Sequence, residues 1–289
     1  MLINTFCHIP RLGEKAEARL WSAGYRTWQD LRTLPAGLVR GFSAENLNRH
    51  LDASRAALER RDARYFADLL PAPQDWRLFA EFSGESACLD IETDGAGASI
   101  TAITLFDGSA LFSYVNGRNL HDFPSDIRKY ALIVTFNGKC FDIPLLERYF
   151  RITIPQAHLD LRFLLRRLGI RGGLKRCEEQ LSVSRGLLEG LDGYSAVLLW
   201  QEYLRRRDER FLDTLLAYNA EDVLHLPALM VYAYNAFVRL SSFPEKTLLP
   251  ATGTVTNPYR PDPEVVAWVR SLQTAGRFSP IFSRQEAYV

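Results

Sequence analysis

Four acids and one tyrosine, on three separate stretches, have the residue types and spacing for chemistry in this sequence: Asp90, Glu92, Asp142, Tyr218 and Asp222. The stretch CLDIETDG, residues 88–95, reads as the end of a buried strand, with Cys88, Leu89 and Ile91 apolar and two acids between and after them. Strand side chains alternate between faces, so Asp90 and Glu92 point the same way. Two neighbouring anions at a mostly buried strand end are costly unless a positive charge sits between them. A capped strand end with one acid solvated is the plainer alternative. In TFNGKCFDIPLL, a β-rich run ends at Asn137-Gly138 and Asp142 follows at the start of a helix. Strand ends that feed helix N-termini are where open sheets place their chemistry, although an acid there also favours the helix dipole by itself. In LLAYNAEDVLHLPAL, Tyr218 and Asp222 are one helical turn apart and share a face with Leu215. A Tyr–Asp hydrogen bond that holds the helix down would need the same spacing.

Taken together, four carboxylates on inward faces make an all-oxygen ligand set. Such a set suits hard divalent cations, Mg²⁺ or Mn²⁺, and not zinc. Two such ions roughly 3.5–4 Å apart clamp the attacking and leaving oxygens of a phosphodiester. Other polar residues near these stretches have simpler readings. Asp94 sits in a turn, Asp160 caps the helix that follows it, and His158 reads as a packed histidine within reach of a phosphate. Residues 151–185 hold eight Lys or Arg (Arg151, Arg162, Arg166, Arg167, Arg171, Lys175, Arg176, Arg185) against three acids, a local charge of +5. That segment is either a solvated helix face or a source of phosphate contacts that ignore base sequence and respond to salt.

The elements that must hold these residues follow from hydrophobic period. Up to about residue 70 the pattern is helical: GEKAEARLWSAG, then WQDLRTL capped by Thr27, then one long helix through SAENLNRHLDASRAALERRDARYFADLL. Pro71 and Pro73 mark a linker. From residue 77, LFAEF, ACLDIET, SITAITLFDG and ALFSYVNG read as strands. LHDFPSDIRKY is helical, ALIVTFNG a strand, FDIPLLERYF a helix and QAHLDL extended, with helices in LRFLLRRLG, LKRCEEQL and SAVLLWQEYLRRRD and one long helix across 210–239. Hairpins followed by alternating strands and helices predict a mixed sheet flanked by helices, an α/β fold. Six of the 14 prolines fall after residue 240, which predicts a loosely packed extension with one short helix at DPEVVAWVRSL, capped by Asp262.

LDIET, FNGKCFDIPLL and YNAED resemble the three motifs of the ribonuclease-H-like DEDD exonucleases, and Tyr218-x-x-x-Asp222 resembles the third motif of the DEDDy type. HLDLRFLLRR, GLKRCEEQL, AVLLWQEYL and YNAEDVLHLPAL are most similar to the YprB-like family. The resemblance implies a five-stranded mixed sheet with helices on both faces, and 3′-to-5′ hydrolysis that releases nucleoside monophosphates. It implies that Asp90, Glu92, Asp142 and Asp222 hold two ions, Mg²⁺ or Mn²⁺, that Tyr218 orients the attacking water, and that Asn137 supports the substrate or the second motif. Lys139, Arg166, Arg167 and Lys175 are the further candidates for contact with a single-stranded DNA or RNA. HIPRLGEKAEARLWSAGYRTWQDL resembles a helix-hairpin-helix element, with Arg11 where a glycine is usual. This segment either binds phosphate or packs on the nuclease sheet, with Trp21 and Trp28 in the core either way. The expected organisation is therefore a helical module over 1–72, an exonuclease domain over 77–240 and a Pro-rich extension over 241–289. A binding protein with a vestigial site and a structure-specific endonuclease are the rival functions.

Composition adds limits. The 289 residues carry a net charge of +1, so only local patches can announce an acidic partner. No apolar run approaches a membrane span, no secretory pattern is visible at the start, and Cys7, Cys88, Cys140 and Cys177 form no metal pattern. The expectation is a cytoplasmic protein with reduced core thiols and no membrane partner.

Overall fold

Five strands form one sheet: β1 Ser86–Thr93, β2 Ile100–Phe106, β3 Leu111–Val115, β4 Leu132–Thr135 and β5 Ala157–Asp160. This is a computed structural model, and it describes residues 1–35, 43–95, 99–243, 247–253 and 255–274. The strand order is β3-β2-β1-β4-β5. The first three strands pair antiparallel, while β4 and β5 run parallel to β1. This is the five-stranded mixed sheet flanked by helices that the ribonuclease-H-like resemblance implies. Antiparallel neighbours need only tight turns, whereas the parallel ones need helical crossovers, and the helices fall where that rule puts them.

The helices are α1 Glu14–Ser22, α2 Trp28–Leu31, α3 Ala44–Glu59, α4 Ala63–Leu69, α5 Phe79–Phe82, α6 Phe123–Asp126, α7 Asp142–Phe150, α8 Leu161–Arg167, α9 Leu174–Gln180, α10 Gly193–Arg206, α11 Glu209–Leu224, α12 Leu226–Leu240 and α13 Pro263–Thr274. One face of β1, with Leu89 and Ile91, packs against Phe123, Leu145 and Leu146 from α6 and α7. On the other face, β2 at Ala102 meets α10 and α11. A third apolar cluster joins the N-terminal helices to the sheet, from Trp21, Trp28 and Phe66 through Trp76 to Cys88, Val134 and Tyr234. Glu17 and Arg77 form a buried ion pair within it at 2.8 Å, and the Glu17 carboxylate also accepts the Phe6 and Cys7 backbone N–H groups.

Several elements depart from expectation. LFAEF is helical, because a 3₁₀ turn over Ala72–Leu78 runs on into α5, burying Leu78, Phe79 and Phe82 at helical spacing. A five-residue apolar run does not separate strand from helix. The long N-terminal helix breaks at Arg61, where φ is +56°, and Asp62 caps α4 by accepting the Tyr65 N–H. The helix expected over 210–239 breaks at His225, with Pro227 in the first turn of α12. Glu209–Leu240 is nonetheless long and apolar enough to cross a membrane by length and composition; here Leu212, Leu215, Met230 and Tyr234 belong to the protein's own clusters, while Tyr232 and Leu240 are exposed. The expected helix at 263 forms as α13, with Asp262 accepting the Glu264 and Val265 N–H groups. It is well packed, with Val265, Val266 and Val269 buried beside α10 and α11; residues 275–289 lie outside the described residues. Three cysteines are buried thiols, but Cys140 is exposed.

Candidate active site

The parallel strands β1, β4 and β5 end at the same edge of the sheet, and the acids gather there. The ladder between β1 and β4 stops at the pair Cys88–Val134, so β1 continues beyond its neighbour. Asp142, the first residue of α7, fills that gap. Its carboxylate accepts backbone N–H groups from Ile91 and from Asp142 itself. Asp90 and Glu92 alternate onto the opposite face from Leu89 and Ile91, toward α11. That helix brings up Tyr218, Asn219 and Asp222, all buried. Asn219 donates from Nδ2 to Asp90 Oδ2 at 2.7 Å. Asp90, Glu92 and Asp222 each place a carboxylate oxygen within 4.8 Å of the others.

The loop before Asp142 is built to be rigid. Asn137 sits in the left-handed region with φ +68°, which asparagine tolerates better than most residues. Gly138 leaves no room for a side chain: a Cβ there would lie 2.4 Å from Thr135 Oγ1. Asp160 ties the loop down by accepting the N–H groups of Asn137 (2.7 Å) and Lys139 (3.0 Å), and it caps α8 through the Arg162 N–H. The cap expected for Asp160 is therefore present, with a second task added. His158 hydrogen-bonds Thr135 at 2.8 Å, as a packed histidine does.

Crowding and burial shape the charges. Burial first, then Asp142, Asp222 and Glu92, raise the Asp90 pKa well above the carboxylate range. Glu92 is raised by burial and by Asp222. Asp142 is raised to about 7, chiefly by burial. Two cations answer this. Lys175 donates to the Tyr218 hydroxyl at 2.8 Å and to the Leu191 carbonyl. Arg185 grips Glu178 with two bonds, at 2.5 and 2.7 Å, and places Nη1 2.5 Å from Asp222 Oδ1. Burial opposes the Arg185 charge, but Asp222 and Glu178 outweigh it and raise its pKa.

The other candidates lie as follows. Asn137 Oδ1 accepts from Arg162 at 2.7 Å. Lys139 pairs with Asp75 at 3.2 Å. Arg166 is exposed on α8. Arg167 donates to the Pro73 carbonyl at 2.5 Å and lies over the Phe237 ring. Lys175 faces Tyr218 rather than solvent. Two residues of the cluster were missed. Asn219 was legible, since it lies three positions before Asp222 on the same helix and so shares a face with it. Arg185 was visible only as one member of a basic run, because a loop brings it 37 positions back from Asp222.

A family model described as the RNase_H superfamily matches residues 87–234, about half of the chain, and the chain belongs to that superfamily. The matched span contains all four acids and Tyr218. Among solved structures, the family B DNA polymerase from the hyperthermophilic archaeon Pyrobaculum calidifontis is similar at 16% identity and a TM-score of 0.40, over 55% of this chain and 26% of the polymerase chain. No curated protein matches the sequence. A divalent cation fits the donor set of Asp90, Glu92 and Asp222: three carboxylates, no sulfur or imidazole, and a buried Asp222 Oδ1 that no hydrogen bond satisfies.

Proposed function

We propose that this chain is a metal-dependent 3′-to-5′ exonuclease of the DEDDy type, acting on single-stranded ends of DNA or RNA. The observation that carries the reading is the convergence of Asp90, Glu92 and Asp222 oxygens within 4.8 Å, one helical turn from a buried Tyr218. In this reading Asp90, Glu92, Asp142 and Asp222 hold Mg²⁺ or Mn²⁺, two ions once a substrate phosphate completes the set. The ions supply an activated water and neutralise charge on the phosphate. Asn219 fixes one oxygen of Asp90, so the other remains for a ligand. Asp160 and Gly138 fix the start of α7, so Asp142 enters at a set position. Tyr218 stays a neutral hydroxyl, since burial and then Asp222 raise its pKa well above that of a free phenol. It orients a water and does not deprotonate it. Residues 77–240 make up the nuclease domain in this scheme, and 1–72 form a helical module joined to it through Glu17 and Arg77.

The test is digestion of matched end-labelled DNA and RNA oligonucleotides with Mg²⁺ or Mn²⁺, resolved by product length, with a circular single strand alongside. Release of monophosphates from the 3′ end and an intact circle are expected. Cleavage of the circle would make the chain an endonuclease. Binding with no cleavage under either metal would make it a binding protein with a vestigial site.

A further inference from the structure

We propose that Arg185 is a phosphate-binding residue of this site, which holds the cation position at Asp222 until a metal ion takes it. The inference rests on the metal-dependent reading above and adds a residue that the acidic motifs do not contain.

The guanidinium is fixed from behind. Its Nε and Nη2 are spent on the two oxygens of Glu178. Glu178 is held in turn by His225 Nδ1 at 2.8 Å, and His225 Nε2 faces Glu221 at 3.1 Å. Asn257 donates to the far oxygen of Glu221 at 2.9 Å. This chain of contacts sets the plane of the guanidinium and leaves Nη1 as the end aimed into the site. Arg185 and Asp222 are 7% and 8% exposed.

The contact between them is incomplete. Nη1 lies 2.5 Å from Asp222 Oδ1, yet neither atom has a hydrogen-bond partner. A buried ion pair with only a structural task aligns its donors, because unmet polar groups are expensive there. Each of these atoms is paired by charge with the other and makes no hydrogen bond, so each can accept a further partner. Asp222 belongs to the three-acid group that can hold a cation. Once an ion binds at Asp222, the N–H groups of Nη1 remain beside it, anchored through Glu178, and a phosphate oxygen is the acceptor that geometry favours. Lys175 spends two of its three donors on Tyr218 and the Leu191 carbonyl.

Two consequences of opposite sign follow for Arg185→Gln. A competitor for Asp222 is removed, so Mn²⁺ should bind about tenfold tighter. A phosphate ligand is removed, so deoxyadenosine 5′-monophosphate at saturating Mn²⁺ should bind about tenfold weaker. Both are read by titration calorimetry on the full chain, without turnover. If the folded variant changes neither affinity, Arg185 only ties its loop to α11 and the proposal falls. It also falls if both affinities weaken together. Should Arg185→Gln not fold, Arg185→Lys decides with smaller changes of the same two signs, because one ammonium cannot span Glu178 and Asp222. A wild-type chain that binds no Mn²⁺ overturns the metal-dependent reading itself, and this inference with it. Wild-type binding of both ligands without the opposed changes overturns the Arg185 assignment alone.

Discussion

Lys175 donates a hydrogen bond from Nζ to the Tyr218 hydroxyl oxygen at 2.8 Å, with the ammonium 4.7 Å from the centre of the same ring. Lysine has donors only, so the tyrosine oxygen is the acceptor and its own hydrogen is left to point elsewhere. In the proposed exonuclease that hydrogen bonds the attacking water. Tyr218→Phe should lower single-turnover cleavage by roughly 10- to 1000-fold, about 1.4–4 kcal/mol of barrier, with substrate and metal affinity nearly unchanged. Lys175→Met should cost less, about tenfold, since the hydroxyl stays but loses the group that fixes it. Equal cleavage by wild type and Tyr218→Phe would reduce Tyr218 to a packing residue.

Asp142→Asn should abolish hydrolysis and stabilise the metal-free protein. Asp142 is raised in the folded chain from 3.8 to about 7. The native state therefore keeps this proton when the unfolded state has lost it, and metal-free stability falls as pH rises from about 4 to about 7. Above that window the whole penalty is present, and the amide removes it. The variant should gain up to about 4 kcal/mol over wild type at pH 8, fading to none below pH 4. Urea unfolding of both proteins in chelator at the two pH values measures this. A gain that does not depend on pH would mean that the buried Asp142 charge is not its source.

Mn²⁺ or Mg²⁺ should raise the melting temperature of wild type by linkage, and more so with a nucleoside monophosphate present. Asp90→Asn should show little shift, because Asp90 lies within the three-acid group. An equal shift in both proteins would place the ions elsewhere.

How far the site could be read from sequence depended on whether its parts are local. Asp90 with Glu92, and Tyr218 with Asp222, fall at the periods of a strand and a helix, so their shared faces follow from spacing. Asp142 needed only the strand-to-helix junction. Asn219 was open to the same argument. Arg185 was not, because its place depends on the loop after α9 and on Glu178 behind it, neither of which spacing relates to Asp222. The errors in the fold have a similar origin. Arg61 and His225 end helices within apolar patterns that run on past them. Leu78–Phe82 has too few residues to show a period. The packing of α13 depends on apolar surface of α10 and α11, which a count of prolines does not register.

The basic segment divides by contact. Both arginines are exposed, but Arg167 is also held by Pro73 and Phe237. If the segment meets phosphate, Arg166→Ala should weaken strand binding and reduce the slope of log affinity against log salt by about 1. Arg167→Ala should instead lower stability by about 0.5–1 kcal/mol, through lost cation–π contact. Binding measured at several salt concentrations separates the two. An unchanged slope in Arg166→Ala would make α8 a solvated face.

His8 should make the protein sensitive to acid. Its ring is buried in the N-terminal module, 5.5 Å from Trp28 and 5.7 Å from Phe66, with Nε2 hydrogen-bonded to Ser54 at 2.9 Å. Burial, then the neighbouring His50 and Arg77, lower its pKa from 6.5 to about 3. Between those values the unfolded chain binds a proton that the native state refuses, so stability is lost as pH falls through 6.5. By pH 5 the loss from this one group is about 2 kcal/mol. His158 is lowered in the same direction, but it contributes equally to wild type and to a His8 variant, and so cancels in their difference. His8→Phe keeps the aromatic packing and removes the titrating group. Ser54 is not orphaned, because its hydroxyl also donates to the His50 carbonyl at 2.8 Å. Urea unfolding at pH 8 and pH 5 should therefore show a gap between the two pH values that is about 2 kcal/mol smaller in the variant. The same gap in both proteins would show that His8 is protonated, or reached by water, in the folded state.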